Sequence, residues 1–174
     1  MGYDLTGLIG RPDTLQAAAA AVPAARAVGL GAGLALVPLT EGVLAAIRAC
    51  GPDGQPAAGF SQLTPAVARF AAGLSAAGPV LYAEAEFFGG TGTQAATGWR
   101  DGRVWFGPLH TRAGPEQRDG FAPPAGPALR GMAINAGLRA LGVHAPAGGE
   151  PWMDEFWVVG LGRRRATDDW AGPD

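Results

Sequence analysis

The chain contains no lysine; all 13 of its basic residues are arginine, against 15 acidic ones. The net charge is −2 and the pI near 5.6. Both argue against nucleic acid as the main partner, because phosphate binding needs a basic stripe. The one basic run, Arg163-Arg164-Arg165, is followed closely by Asp168 and Asp169, the pattern of a solvated and locally neutralised tail. Cysteine is nearly absent as well. Cys50 stands alone, so it forms no internal disulfide and suits a reducing cytoplasm. At the end of a predicted helix, before Gly51-Pro52, it meets the negative end of the helix dipole, which disfavours a thiolate nucleophile. Serine occurs only at Ser61 and Ser75, and neither sits in a GxSxG elbow. No membrane span is expected, since Pro23, Arg26 and several glycines interrupt the apolar residues 15–39. An acidic start with Asp4 and Asp13 departs from a signal peptide. Alanine, glycine and proline abound instead, the bias expected of a GC-rich bacterial genome.

What is present suits one domain over residues 1–174, long enough to bury a substantial core. Residues 3–9 read as a strand, Pro12-Asp13-Thr14 opens a short alanine-rich helix that stops near Pro23, and residues 34–39 read as a buried strand. Thr40 and Thr64 are N-cap residues of two amphipathic helices, with Pro65 at the first position of the second. Strands are predicted over 80–88, 93–100 and 103–108, the last two joined by Asp101-Gly102, a strong two-residue hairpin signal. A Pro/Gly-rich loop is predicted over about 109–127, then a helix from about 128 to Gly142. After another loop comes an arginine-rich tail that Trp170 is expected to pin. The fold class is therefore α+β: a single domain whose mainly antiparallel sheet, with a meander in its C-terminal half, packs against several helices.

The most unusual stretch is YAEAEFFGGTGTQ, residues 82–94. Strand alternation turns Leu81, Ala83, Ala85 and Phe87 to a core face and Tyr82, Glu84, Glu86 and Phe88 to the other. The two carboxylates then share a face with Cβ atoms roughly 6–7 Å apart, a spacing that fits an acid–base pair but equally the polar outer face of an antiparallel sheet. On the second reading both glutamates face water and the first four residues are the more buried. Gly89-Gly90-Thr91-Gly92 could cradle an anion, yet it feeds a strand rather than a helix, so a hairpin connection is expected. Gln94 then faces a ligand or pairs across the turn. His110 and His144 could join a glutamate around a metal, but no HxH or HExxH spacing supports it, and neither a metal nor a cofactor is expected. The glycines before residue 34 do not have the dinucleotide spacing.

Phe88-Gly89-Gly90 with Gly92 and Gln94, Ile134-Asn135 with Leu138 and Leu141-Gly142-Val143, Asp154-Glu155-Phe156, and Thr167 with Asp169-Trp170 together resemble a pattern of small uncharacterised bacterial proteins. The resemblance covers roughly the C-terminal half and implies no activity; some small acidic proteins of this general kind resemble immunity or antitoxin-type partners. The leading expectation is a cytoplasmic protein-interaction module, an inhibitor of a basic partner, with Tyr82, Glu84, Glu86, Gly90, Gln94, Trp99 and Trp105 at the interface. The alternatives are an acid–base enzyme using Glu84 and Glu86, and a structural domain of a larger assembly.

Overall fold

The structure is a computed structural model that describes residues 2–89, 91–113, 131–150 and 152–172. Six strands form one antiparallel sheet in the order β2-β3-β1-β4-β5-β6. They are β1 (Tyr3–Gly10), β2 (Val28–Gly29), β3 (Ala35–Pro38), β4 (Val80–Phe88), β5 (Thr91–Arg100) and β6 (Arg103–Ala113). The described α-helices are α1 (Pro12–Leu15), α2 (Ala17–Ala21), α3 (Glu41–Ala49), α4 (Pro65–Leu74), α5 (Ala133–Ala140) and α6 (Glu155–Val159). The α+β class, the antiparallel sheet and the β4-β5-β6 meander are as the sequence indicates. Among the described residues no helix is long and apolar enough to cross a membrane.

Local chemistry places most boundaries. The hydroxyl oxygens of Thr40 and Thr64 accept from the N–H groups of Val43 and Val67, so each satisfies a donor that the helix start leaves open. Asp101 and Gly102 take φ values of 51° and 73°, the paired left-handed conformations of the tight turn that best matches strand twist. Gly142, at φ 90°, ends α5 and lets the N–H of Val143 return to the carbonyl of Leu138.

β5 begins at Thr91, two residues before the expected 93, and a larger difference lies in β6. β6 continues through Gly107-Pro108 to Ala113, so residues 109–113 are strand and not loop. The reason is position: β6 is the sheet's edge, where proline's missing N–H removes no ladder bond, and Gly107, at φ 72°, absorbs the bulge opposite residues 96–98. The remainder of the predicted loop, 114–127, and the start of the predicted helix, 128–130, lie outside the described residues; α5 itself begins at Ala133.

The sheet is covered on both faces. On one side Leu8, Val37, Val80, Tyr82 and Trp99 pack beneath α1 to α4. On the other, Leu5, Ile9, Leu81, Ala83 and Ala96 pack against α5, with Val159, Leu161 and Trp170. The tail is pinned as expected: Trp170 is buried, the Arg164 guanidinium lies 5.3 Å from its ring centre, and the carbonyl of Arg165 accepts from Asp4 N–H.

A buried polar joint locks α6 to α5. The Asn135 amide nitrogen donates to Asp154 Oδ2 at 2.8 Å, its oxygen accepts from Phe156 N–H at 2.8 Å, and Asp154 Oδ1 accepts from Trp157 N–H as the N-cap of α6. Arg139 adds an ion pair to Glu155 at 2.8 Å. Replacing Asn135 by alanine strands a buried carboxylate oxygen and a backbone donor. The expected cost is about 2–4 kcal/mol, read as a lower urea midpoint at unchanged slope; a loss under about 0.5 kcal/mol contradicts the joint.

Candidate functional site

Glu84 and Glu86 do share a face, as the alternation requires, but they do not share an environment. Glu86 is exposed, whereas Glu84 is only 8% exposed, comparable with Ala85 at 5%, and Phe87 on the supposed core face is half-buried. The expectation that both glutamates face water is therefore wrong for Glu84. The cause is the second helical layer: the segment that enters α4 crosses over β4 and closes on this side chain.

Its closure is specific. The N–H groups of Ser61 and Gln62 donate to Glu84 Oε2 and Oε1, each at 2.7 Å, and the buried Tyr82 hydroxyl donates to Oε1. Phe60 wedges beneath, edge-on to Tyr82 at 5.8 Å and to His110 at 4.7 Å. Gly59 is required here: at φ 83° it bears no Cβ, and one would stand 2.4 Å from the His110 ring. Gln62 is held in turn by Arg48, whose Nη2 donates to its Oε1 at 2.6 Å. Asp53, 3.7 Å from Arg48, also accepts from Ala66 N–H at the start of α4. Loss of water pushes the Asp53 carboxyl upward, but the N–H groups of Ala66 and Gly54, the Thr64 hydroxyl and Arg48 outweigh this and hold it below its ordinary value.

Around Glu84 lies a cleft of about 440 Å³. Register explains its lining: Thr6, Glu84, Ala95 and His110 form one cross-strand row, and Asp4, Glu86, Thr93 and Arg112 the next. Asp4 and Glu86 stand directly opposite each other. His110 borders the cleft and His144, beyond α5, does not. Among the described residues no group of three or more His, Cys, Asp or Glu is placed to hold a metal ion.

The other predicted interface residues disperse. Tyr82 is fully buried and Trp99 only 6% exposed, so both belong to the core rather than an interface. Trp105 is half-buried with the Arg100 guanidinium 4.5 Å from its ring centre. It lies toward the far end of the strands from Glu86. Gln94 is buried on the opposite face and accepts from Ile134 N–H at 3.0 Å, which makes it a tie between β5 and α5. β4 and β5 pair antiparallel up to Phe88 and Thr91, as the expected hairpin requires, with Thr91 and Gly92 already in β5; Gly90 lies outside the described residues. Sequence reading missed Trp152 and Trp157, which are 42% and 48% exposed with ring centres 5.3 Å apart. The available signal was Asp154-Glu155, a helix-start pair that sets Trp157 in the first turn.

No known protein family, curated protein or solved structure matches the chain.

Burial, then the Glu84 charge and hydrogen bond, raise the Tyr82 hydroxyl far above its ordinary value, and burial followed by the Asp4 charge raises Tyr3. The unfolded chain releases these protons near pH 10 and the folded one retains them, so stability is complete below about pH 10 and falls as the pH rises beyond it. Alkaline unfolding followed by circular dichroism, with tyrosinate absorbance appearing only as the fold is lost, is the expected result. Ionisation of both tyrosines near pH 10 in the folded protein contradicts it.

Proposed function

We propose that the chain is a protein-interaction module of immunity or antitoxin type that binds a basic partner through the acidic cleft face, not an acid–base enzyme. The observation that carries this reading is the division of labour between the carboxylates. Glu84 spends its oxygens on the protein's own donors, so it is poorly disposed to exchange protons with a substrate. Asp4 and Glu86, by contrast, are exposed and opposite each other, and among the described residues neither has an ion-pair partner, Asp4 taking only the Thr167 hydroxyl at 3.1 Å.

Like charges directly opposed across a strand pair destabilise a sheet. A cationic side chain arriving from outside relieves that repulsion, which makes the pair a source of both affinity and steering. Glu41 and Asp168 line an adjoining depression that shares Asp4, Thr6 and Gln62 with the cleft, and so extend the negative surface.

The test is affinity capture from the native host with the wild-type chain and with Asp4→Asn/Glu86→Gln. The wild type is expected to retain a basic protein at low salt, and the double variant to lose it while melting at a higher temperature. Capture of the same protein by both at the same salt concentration contradicts the proposal.

A further inference from the structure

The sheet's other face carries a separate cavity of about 650 Å³, within the roughly 300–1,000 Å³ typical of small-molecule sites. Tyr3 of β1 and Phe87 of β4 contribute to its lining from the sheet, and Phe156, Trp157 and Trp152 from α6 and the turn before it. The rings meet edge to face: Tyr3 lies 6.5 Å from Phe87 and 5.7 Å from Phe156 between centres, and Trp152 packs on Trp157 in the same manner. Two of the largest apolar side chains in the protein therefore frame an opening instead of completing a core.

The polar groups at the cavity decide what kind of molecule suits it. Its carboxylate and side-chain amide acceptors are engaged: Asp154 takes the Asn135 amide and Trp157 N–H, Asn135 Oδ1 takes Phe156 N–H, and Gln94 Oε1 takes Ile134 N–H. Donors remain. Gln94 is 6% exposed and borders the cavity, and among the described residues its amide nitrogen has no hydrogen-bond partner. Arg163 lines the same cavity, is exposed, and has no ion-pair partner among the described residues. Gly160 makes room for it, because a Cβ there would stand 2.6 Å from Arg163 Nε. Aromatic walls alone would also suit a quaternary ammonium. Such a ligand, however, would meet the Arg163 guanidinium, and it offers no acceptor to the Gln94 amide N–H. Asp154 keeps its negative charge, but both of its oxygens are turned to donors within the protein; the unfilled groups facing a ligand are the Gln94 amide N–H and the Arg163 guanidinium, and these select the acceptor oxygens of an anion.

We infer that this cavity binds an apolar monocarboxylate, its alkyl or aryl body against the aromatic walls and its carboxylate drawn to Arg163 and the Gln94 amide. The site lies across the sheet from the acidic cleft, so it stands or falls independently of the partner proposed there.

Calorimetric titration with octanoate, 1-octanol and octyltrimethylammonium tests it on the intact chain. Octanoate is expected to bind saturably at one site and more tightly than the ammonium. Arg163→Met should weaken octanoate by about tenfold or more and leave octanol within about twofold, since a charge-assisted contact is removed and the walls are not. Trp157→Ala should weaken both. Absence of saturable octanoate binding, equal octanoate affinity in the Arg163→Met protein, tighter binding of the ammonium, or indifference to Trp157→Ala each overturns the inference.

Discussion

The carboxylate of Glu84, held by two successive backbone amides and a tyrosine hydroxyl, is the interaction on which the architecture around the cleft depends. A buried carboxylate without partners costs several kcal/mol in lost hydration. Each charge-assisted hydrogen bond returns about 1.5–3 kcal/mol, so the side chain is favourable only while its donors are in place. That requirement fixes residues 59–62, and through Phe60 it sets the His110 ring. Through Gln62 and Arg48 it reaches α3, and through Asp53 the first turn of α4.

This constraint also explains what was legible in the sequence. Period-two alternation from Leu81 to Phe88 gives the two faces correctly, because it follows from strand geometry alone. Whether a face meets water or a second layer depends on contacts made by residues more than 20 positions away, such as Ser61 to Glu84. Nothing within the strand encodes it. Thr40, Thr64 and Asp101-Gly102 were readable because capping and turn chemistry are local. The continuation of β6 past Pro108 was not, since it depends on the strand lying at the sheet's edge. The same limit hid the interface candidates: tryptophan content cannot distinguish Trp99, in the core, from Trp152 and Trp157, at a cavity mouth.

Several polar residues of the C-terminal half prove to be joints. Gln94 ties β5 to α5, Asn135 and Asp154 tie α5 to α6, and the Thr167 hydroxyl accepts from Thr6 N–H and donates to Asp4. Gly92 lies where a Cβ would stand 2.3 Å from the Phe87 ring. Such joints hold the fold together and leave chemistry to the surfaces they position. Two stand out, the carboxylates of the cleft and the aromatic cavity across the sheet.

The central claim is that Glu84 is an anchor rather than a proton-transfer group. Glutamine at this position keeps the shape, but its amide nitrogen cannot accept one of the bonds that both carboxylate oxygens now take. Amide hydrogen exchange at Ser61 and Gln62, compared between the wild type and Glu84→Gln, tests the claim most directly. Selective acceleration at these two amides, with a loss of about 2–4 kcal/mol in unfolding free energy, is the predicted result. Unchanged exchange at both amides together with undiminished stability would contradict it, and would leave Glu84 available for chemistry.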